Sequence, residues 1–243
     1  MRRSISVWLH ALADLFFPPQ CLGCSTALTA SISPLVCPTC QEFLPWIKAP
    51  LCTWCGAPFQ VGSSHLCGAC MARPPAFTLA RSLFRYEGLI RDAIVSLKFQ
   101  GDMALLPSLE VLCRQSALYA DFSEPDFIIP VPLHPLRLQE RGFNQALRFA
   151  QACFPQWRRK LAPFLLVRTV HTPPQTSLGG SARRCNLQGA FTIDADVCLN
   201  GKAILLIDDV FTTGTTVEVC SRELSRAGAA RVEVFTLARS VVM

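Results

Sequence analysis

The sequence predicts an α/β protein in which a parallel sheet, covered by helices on both faces, follows a small metal-binding module. Three observations carry this expectation. Short, almost wholly apolar runs alternate with helical patterns over the larger C-terminal part of the chain. Eight of the thirteen cysteines fall before residue 71, in four C-x2-C pairs. One apolar run, Ala203 to Ile207, leads through two aspartates into a threonine-rich loop and then a helix.

Composition sets the limits. The chain has 243 residues, 51% hydrophobic against 16% charged, enough to bury a sizeable core and too apolar for a disordered chain. A formal charge of +6 admits phosphate-bearing ligands or nucleic acid and demands neither. No apolar run approaches the length of a membrane span. The N-terminus, with Arg2, Arg3 and the triplet Ala11-Leu12-Ala13, resembles an export signal. Its apolar stretch from Ile5 to Leu12 is short and already holds His10, and the thiol-rich segments downstream suit a reducing compartment. The reading adopted is an amphipathic helix with Ile5, Leu9, Leu12, Leu15 and Phe16 on one face, in a cytoplasmic protein. Arg2, Arg3 and Trp8 leave open a peripheral contact at the inner membrane surface.

The cysteine pairs are Cys21/Cys24, Cys37/Cys40, Cys52/Cys55 and Cys67/Cys70, separated by twelve, eleven and eleven residues. Two residues between ligands let both thiolates of a tight turn face one tetrahedral ion, and two such turns complete a four-sulfur site. Eight thiolates therefore predict two structural zinc ions, with no position open for water. A disulfide framework would require export, and an iron–sulfur cluster usually shows less even spacing. Spacing leaves the grouping open between two sequential ribbons and a cross-braced arrangement. Cys113, Cys153, Cys185, Cys198 and Cys220 lack this pattern and are expected to be small buried hydrophobes.

A stiff connector, Ala72-Arg73-Pro74-Pro75, suggests a division into residues 1–72, helix and double ribbon, and residues 76–243, the α/β domain. Beyond it, strands are expected at Ala80 to Tyr86, Phe127 to Val131, Phe164 to Val170, Ala203 to Ile207 and Arg231 to Leu237. Helices are expected at Ile90 to Phe99, Leu105 to Leu118, Asn144 to Cys153 and Thr215 to Ala227, the last stopped by Gly228. In such sheets ligands sit at the carboxyl ends of the strands.

After Ile207 come Asp208-Asp209, Val210-Phe211 and Thr212-Thr213-Gly214-Thr215-Thr216. A glycine among threonines at a helix start offers backbone N–H groups and hydroxyls to one anion. The adjacent carboxylates repel phosphate but accept hydrogen bonds from a pair of ribose hydroxyls. Neither a Walker A loop nor a dinucleotide fingerprint occurs. The run Ile204 to Thr216 resembles the phosphoribosyl-pyrophosphate (PRPP) motif of type I phosphoribosyltransferases. That resemblance implies that Asp208 and Asp209 hold the ribose hydroxyls and contribute to catalysis. It also implies that Thr212, Thr213, Gly214, Thr215 and Thr216 hold the 5-phosphate, with Mg2+ bound alongside PRPP.

A second stretch, Ile128-Ile129-Pro130-Val131-Pro132-Leu133-His134-Pro135-Leu136-Arg137-Leu138-Gln139-Glu140-Arg141-Gly142-Phe143-Asn144-Gln145, is similar to the signature of the ComF/GntX family, proteins linked to competence and DNA use. Thr172, Gln175, Leu178, Arg184, Asn186 and Ala190-Phe191 agree with that family's spacing, as does the cysteine module. The resemblance spans nearly the whole chain. Arg137 and Arg141 follow a strand's carboxyl end and suit pyrophosphate; Lys98 is a further candidate anion ligand. His134, between prolines, is expected to be structural, and Arg183 and Arg184 follow a Gly179-Gly180-Ser181 segment suited to a mobile cover. The implied ligand is PRPP or a related ribose phosphate.

A different class of function stays open at this point: an adaptor without turnover, holding single-stranded DNA or DNA-processing proteins on its ribbons. Trp46, Trp54 and Phe59 supply rings, and Lys48, Arg73, Arg158, Arg159 and Lys160 supply charge. The expectation for the three rings is that they cover the ribbon cores.

Overall fold

The computed structural model describes residues 18–28, 36–170, 189–194 and 197–241. The N-terminal helix expected before residue 17, the segment from Thr172 to Asn186, and Cys185 lie outside the described residues. Two short helices, α1 (Pro38–Glu42) and α2 (Gly68–Ala72), each follow the third cysteine of a set. The α/β part then runs β1 (Leu79–Arg85), α3 (Gly88–Gln100), α4 (Leu106–Gln115), β2 (Phe127–Pro130), α5 (Pro135–Arg141) and α6 (Gln145–Cys153). It continues with β3 (Leu166–Arg168), β4 (Phe191–Ile193), β5 (Ala203–Phe211), α7 (Thr215–Arg226) and β6 (Arg231–Arg239).

The main sheet has the order β1-β6-β5-β2 with every neighbouring pair parallel. Burial on both sides explains why β5 reads as an unbroken apolar run: Leu205 and Ile207 face one layer, Ile204 and Leu206 the other. The first layer is built from α3, α4 and α6 through Ile90, Ile94, Leu109, Leu112 and Phe149, all inaccessible or nearly so. The second is built from α7 through Val217, Cys220 and Leu224, from β3 and β4, and from the second cysteine set.

Three expectations change. The strand predicted over Phe164 to Val170 shortens to β3 and pairs antiparallel with β4 in a separate two-stranded sheet, because its partner Phe191-Thr192-Ile193 is a local return of the chain. The strand predicted to end at Ile207 continues to Phe211, held by the ladder to β6 that pairs Asp208 with Thr236 and Phe211 with Arg239. Of the scattered thiols, Cys113, Cys153 and Cys220 are buried as expected, whereas Cys198 is exposed. It sits on the irregular turn that enters β5, not in an element with an inward face.

The cysteine module docks on β1, the edge strand of the sheet, through the segment between its two sets and through the second set. Ile47 donates to Leu83 O at 2.8 Å, Arg85 to Pro45 O at 2.8 Å, and Ala80 to Trp54 O at 2.6 Å. An edge left open would be a template for foreign strands; here the cysteine module covers it. Gly56, at φ +69°, allows the close approach, since a Cβ there would sit 2.5 Å from Ala80 O.

Candidate functional site

The eight paired cysteines form two separate four-sulfur clusters, Cys21/Cys24/Cys37/Cys40 and Cys52/Cys55/Cys67/Cys70. This settles the grouping in favour of sequential ribbons. Within each cluster the sulfurs lie within 4.8 Å of one another. The Cys24–Cys37 and Cys55–Cys67 separations are 3.7 and 3.8 Å. A tetrahedral zinc with Zn–S near 2.3 Å requires S–S edges of about 3.8 Å, so the donor sets fit zinc in size and chemistry. Backbone N–H groups support the thiolates: Gly23 and Cys37 donate to Cys21 Sγ at 3.4 and 3.2 Å, and Cys67 to Cys52 Sγ at 3.4 Å. Partial desolvation opposes ionisation of Cys21 and Cys52, yet these amide donors outweigh it and bring both thiols down to about 6. When bound, zinc would cross-link the two turns of each set and leave no catalytic position, which supports a structural role.

The second constellation gathers at the carboxyl end of β5. Asp208 and Asp209 are both buried, at 9% and 5% exposure, an expensive place for carboxylates unless something compensates. They are not equivalent. By strand alternation Asp209 points to the same layer as Leu205 and Ile207, where it is ion-paired with Lys98 near the end of α3. Asp208 points the other way, toward Cys220 of α7, whose thiol is pushed up by burial and then by Asp208, and toward Arg168 of β3, whose burial-lowered pKa Asp208 helps to hold up. Burial, then the neighbouring Asp209, pushes the Asp208 carboxyl well above the usual range. Its Oδ1 accepts the Asp209 amide at 2.9 Å, and Asp209 Oδ1 accepts the Val210 amide at 2.8 Å.

Lys98, Arg137 and Arg141 line one cavity of about 340 Å³, together with Phe99 and Phe143. Arg141 is partly desolvated, which lowers its pKa, while Asp209 opposes that shift. Its Nη1 donates to Gln145 Oε1 at 2.6 Å, fixing the guanidinium against α6. The segment carrying both arginines, where the sequence predicts no helix, is helix α5: His134 caps it by accepting from the Leu136 amide at 3.3 Å, and Pro135 opens its first turn. His134 is thus structural, as expected. Asn144 caps α6 by accepting from the Ala146 amide at 2.9 Å and donates to Val131 O at 3.0 Å, pinning the helix to the end of β2.

The threonine loop completes the arrangement. Gly214 caps α7 at φ +75°, and a Cβ there would lie 2.6 Å from the Phe211 ring. Thr213 Oγ1 and Thr215 Oγ1 are 2.8 Å apart, while Thr212 and Thr213 are exposed. Thr213, Gly214 and Thr215 line a second cavity of about 250 Å³ that faces Arg73, Cys55 and Arg239. Six of the predicted site residues therefore line two cavities, Lys98, Arg137 and Arg141 the first and Thr213, Gly214 and Thr215 the second, while Asp209 meets the first only through its ion pair with Lys98. Arg239, which sequence reasoning missed, belongs to the second; no local motif marks it. Of the rings considered for DNA, Trp46 packs on Phe84 at 4.5 Å, Phe59 stacks on His65 at 4.2 Å, and Trp54 joins the second core layer.

Comparison with known proteins fits this layout. The double zinc ribbon domain family matches residues 12–71. The chain is 32% identical to the DNA utilization protein YhgH of Escherichia coli over 85% of its own length and 91% of that protein. It is 30% identical to competence protein F of Haemophilus influenzae over 93% and 99%. Identity to competence protein ComFC of Bacillus subtilis is 28% over 84% of each chain. A solved hypoxanthine phosphoribosyltransferase from Staphylococcus aureus overlaps 54% of this chain and 60% of that one, at 17% identity and a TM-score of 0.34. The chain belongs to the ComF/GntX family, and in it a double zinc ribbon precedes a parallel sheet covered by helices.

Proposed function

We propose that the protein binds PRPP or a related ribose phosphate at the end of β5 and serves DNA uptake or utilisation in the cytoplasm. The carrying observation is the pair of buried aspartates placed directly before a glycine-centred threonine turn that opens α7. The ribose hydroxyls would be accepted by Asp208 and Asp209, and the 5-phosphate by the N–H groups and hydroxyls of Thr212 to Thr216. Arg137 and Arg141, with Lys98 released from Asp209 on binding, would face the pyrophosphate. Mg2+, when bound with PRPP, would be held beside the Asp208 and Asp209 carboxylates and would offset the charge of the pyrophosphate.

The same residues describe a pentosyl transfer. As the C1–O bond to pyrophosphate breaks, its electron pair leaves with the pyrophosphate, whose charge the arginines offset, and a nucleophile adds to C1. The relatives named for competence and DNA utilization support the cellular role; on the proposed division, residues 1–72 would bind zinc and residues 76–243 the ribose phosphate. With Trp46, Trp54 and Phe59 committed to packing, a DNA surface on the ribbons would rest on charge from residues such as Lys48 and Arg73. The test is an acceptor screen with purified protein, PRPP and Mg2+, following pyrophosphate release. Turnover with a defined acceptor supports the transferase; PRPP binding without turnover moves the reading to a ligand-sensing adaptor; no PRPP binding removes it.

A further inference from the structure

The second cysteine cluster and the threonine loop are joined by one side chain. Arg239, the last residue of β6, donates from Nη1 to Cys55 O at 2.7 Å, and its Nη2 lies 3.8 Å from Cys55 Sγ. The same guanidinium lies over the Phe211 ring, 4.2 Å from its centroid. Phe211 is the ring that a Cβ at Gly214 would strike, so it forms the floor under the turn of the loop. Two further contacts brace the same unit: Phe77 meets Phe211 edge-on at 6.2 Å, and the Ala76 amide donates to Glu218 Oε2 in the first turn of α7 at 2.9 Å. The first cluster has no comparable link among the described residues; Gly23 there packs toward Leu89 at the start of α3.

We propose that Arg239 is a positioning residue that couples metal occupancy of the Cys52/Cys55/Cys67/Cys70 centre to ribose-phosphate affinity at the Thr212–Thr216 loop. The proposal rests on the ribose-phosphate reading of that loop. Four thiolates around a divalent zinc leave a net negative charge, and Arg239 compensates it while its flat face holds Phe211. Loss of the metal lets the ribbon turns separate, and the guanidinium loses its anchor on Cys55. The ring under Gly214 is then freed, and the loop no longer has a fixed floor. Because coupling between two binding equilibria is reciprocal, a ligand on the loop must tighten zinc binding at the second centre by the factor by which the metal improves ligand affinity.

The experiment follows zinc release from the full-length, zinc-loaded protein into a zinc-selective chromophoric chelator, with and without PRPP and Mg2+. Calorimetry on the same preparation measures PRPP affinity. The expected result, read at equilibrium, is that PRPP raises the chelator concentration needed to extract one of two zinc equivalents at least ~5-fold and leaves the other unchanged. Arg239→Gln should lower the zinc affinity of that equivalent roughly tenfold and abolish its protection by PRPP, and Arg239→Lys should fall between the two. The wild-type arm decides the question even if a variant fails to fold. Equal release with and without PRPP, in protein that calorimetry shows to bind PRPP, overturns the coupling. Absence of PRPP binding to the wild type overturns the ribose-phosphate reading itself, and the coupling with it.

Discussion

Asp208 carries the least comfortable charge in the described structure. Its folded pKa is raised by burial and by Asp209. Between the unfolded value near 3.8 and the raised folded value, the native state therefore holds more protons than the unfolded state. Stability contributed by the neutral carboxyl is full at low pH and falls as pH rises through that window. Asp208→Asn removes the cost of ionisation and should raise the unfolding midpoint at pH 8 in metal-free buffer, with the gain shrinking toward pH 4. Thermal melts of both proteins across that range check the sign; a loss of stability at pH 8 would mean that the charge is compensated by a group other than those named. Gly214 makes the complementary case. Substitution by alanine forces a side chain into the left-handed region, about 1–2 kcal/mol, and drives it against a ring clamped by Phe77 and Arg239. Gly214→Ala should lower the melting temperature and weaken PRPP binding at least ~10-fold, measured by calorimetry on protein whose circular dichroism is native.

Among the elements, the ribbons follow most directly from their residues. The C-x2-C turns specify where sulfurs must meet, and only the choice between sequential and crossed sets needed three dimensions. Metal analysis of protein purified without added zinc should give two equivalents of zinc per chain. Cys37→Ser should give one, with the first ribbon unfolded and the parallel sheet retained, because metal affinity at such a site is folding free energy. Retention of both equivalents would show that Cys37 is not a required ligand of the first cluster. β5 was equally legible up to Ile207, since an apolar run buried on both faces leaves a continuous signature. Its extension through Asp208 to Phe211 was not, because aspartate disfavours strands; the ladder to β6 and the Lys98 ion pair override that local preference. Helix α5 was hidden by Pro130, Pro132 and Pro135, which read as loop punctuation. Pro135 in fact opens the helix behind a His134 cap, and Gly142 at φ +79° closes it.

At the scale of the molecule, the cysteine module does more than precede the sheet. It covers the β1 edge and supplies one wall of the cavity that holds the threonine loop. Neither fact is written in any local pattern: Cys55 and Arg239 stand 184 residues apart, and only the parallel pairing of β6 between β1 and β5 brings them together. Among the described residues no helix is long and apolar enough to cross a membrane. The motif behind the proposed ligand was legible, and so was the basic cluster of Arg137, Arg141 and Lys98. That this cluster and the loop occupy two cavities around one strand end was not. The central claim is that this strand end holds a ribose phosphate, and a calorimetric titration with PRPP and Mg2+ tests it most directly. Charge-assisted hydrogen bonds contribute about 1.5–3 kcal/mol each, so replacing Asp208 and Asp209 together by alanine should weaken binding at least ~10-fold in a protein that remains folded by circular dichroism. Undiminished binding by the folded double variant would place the ligand elsewhere and contradict the account.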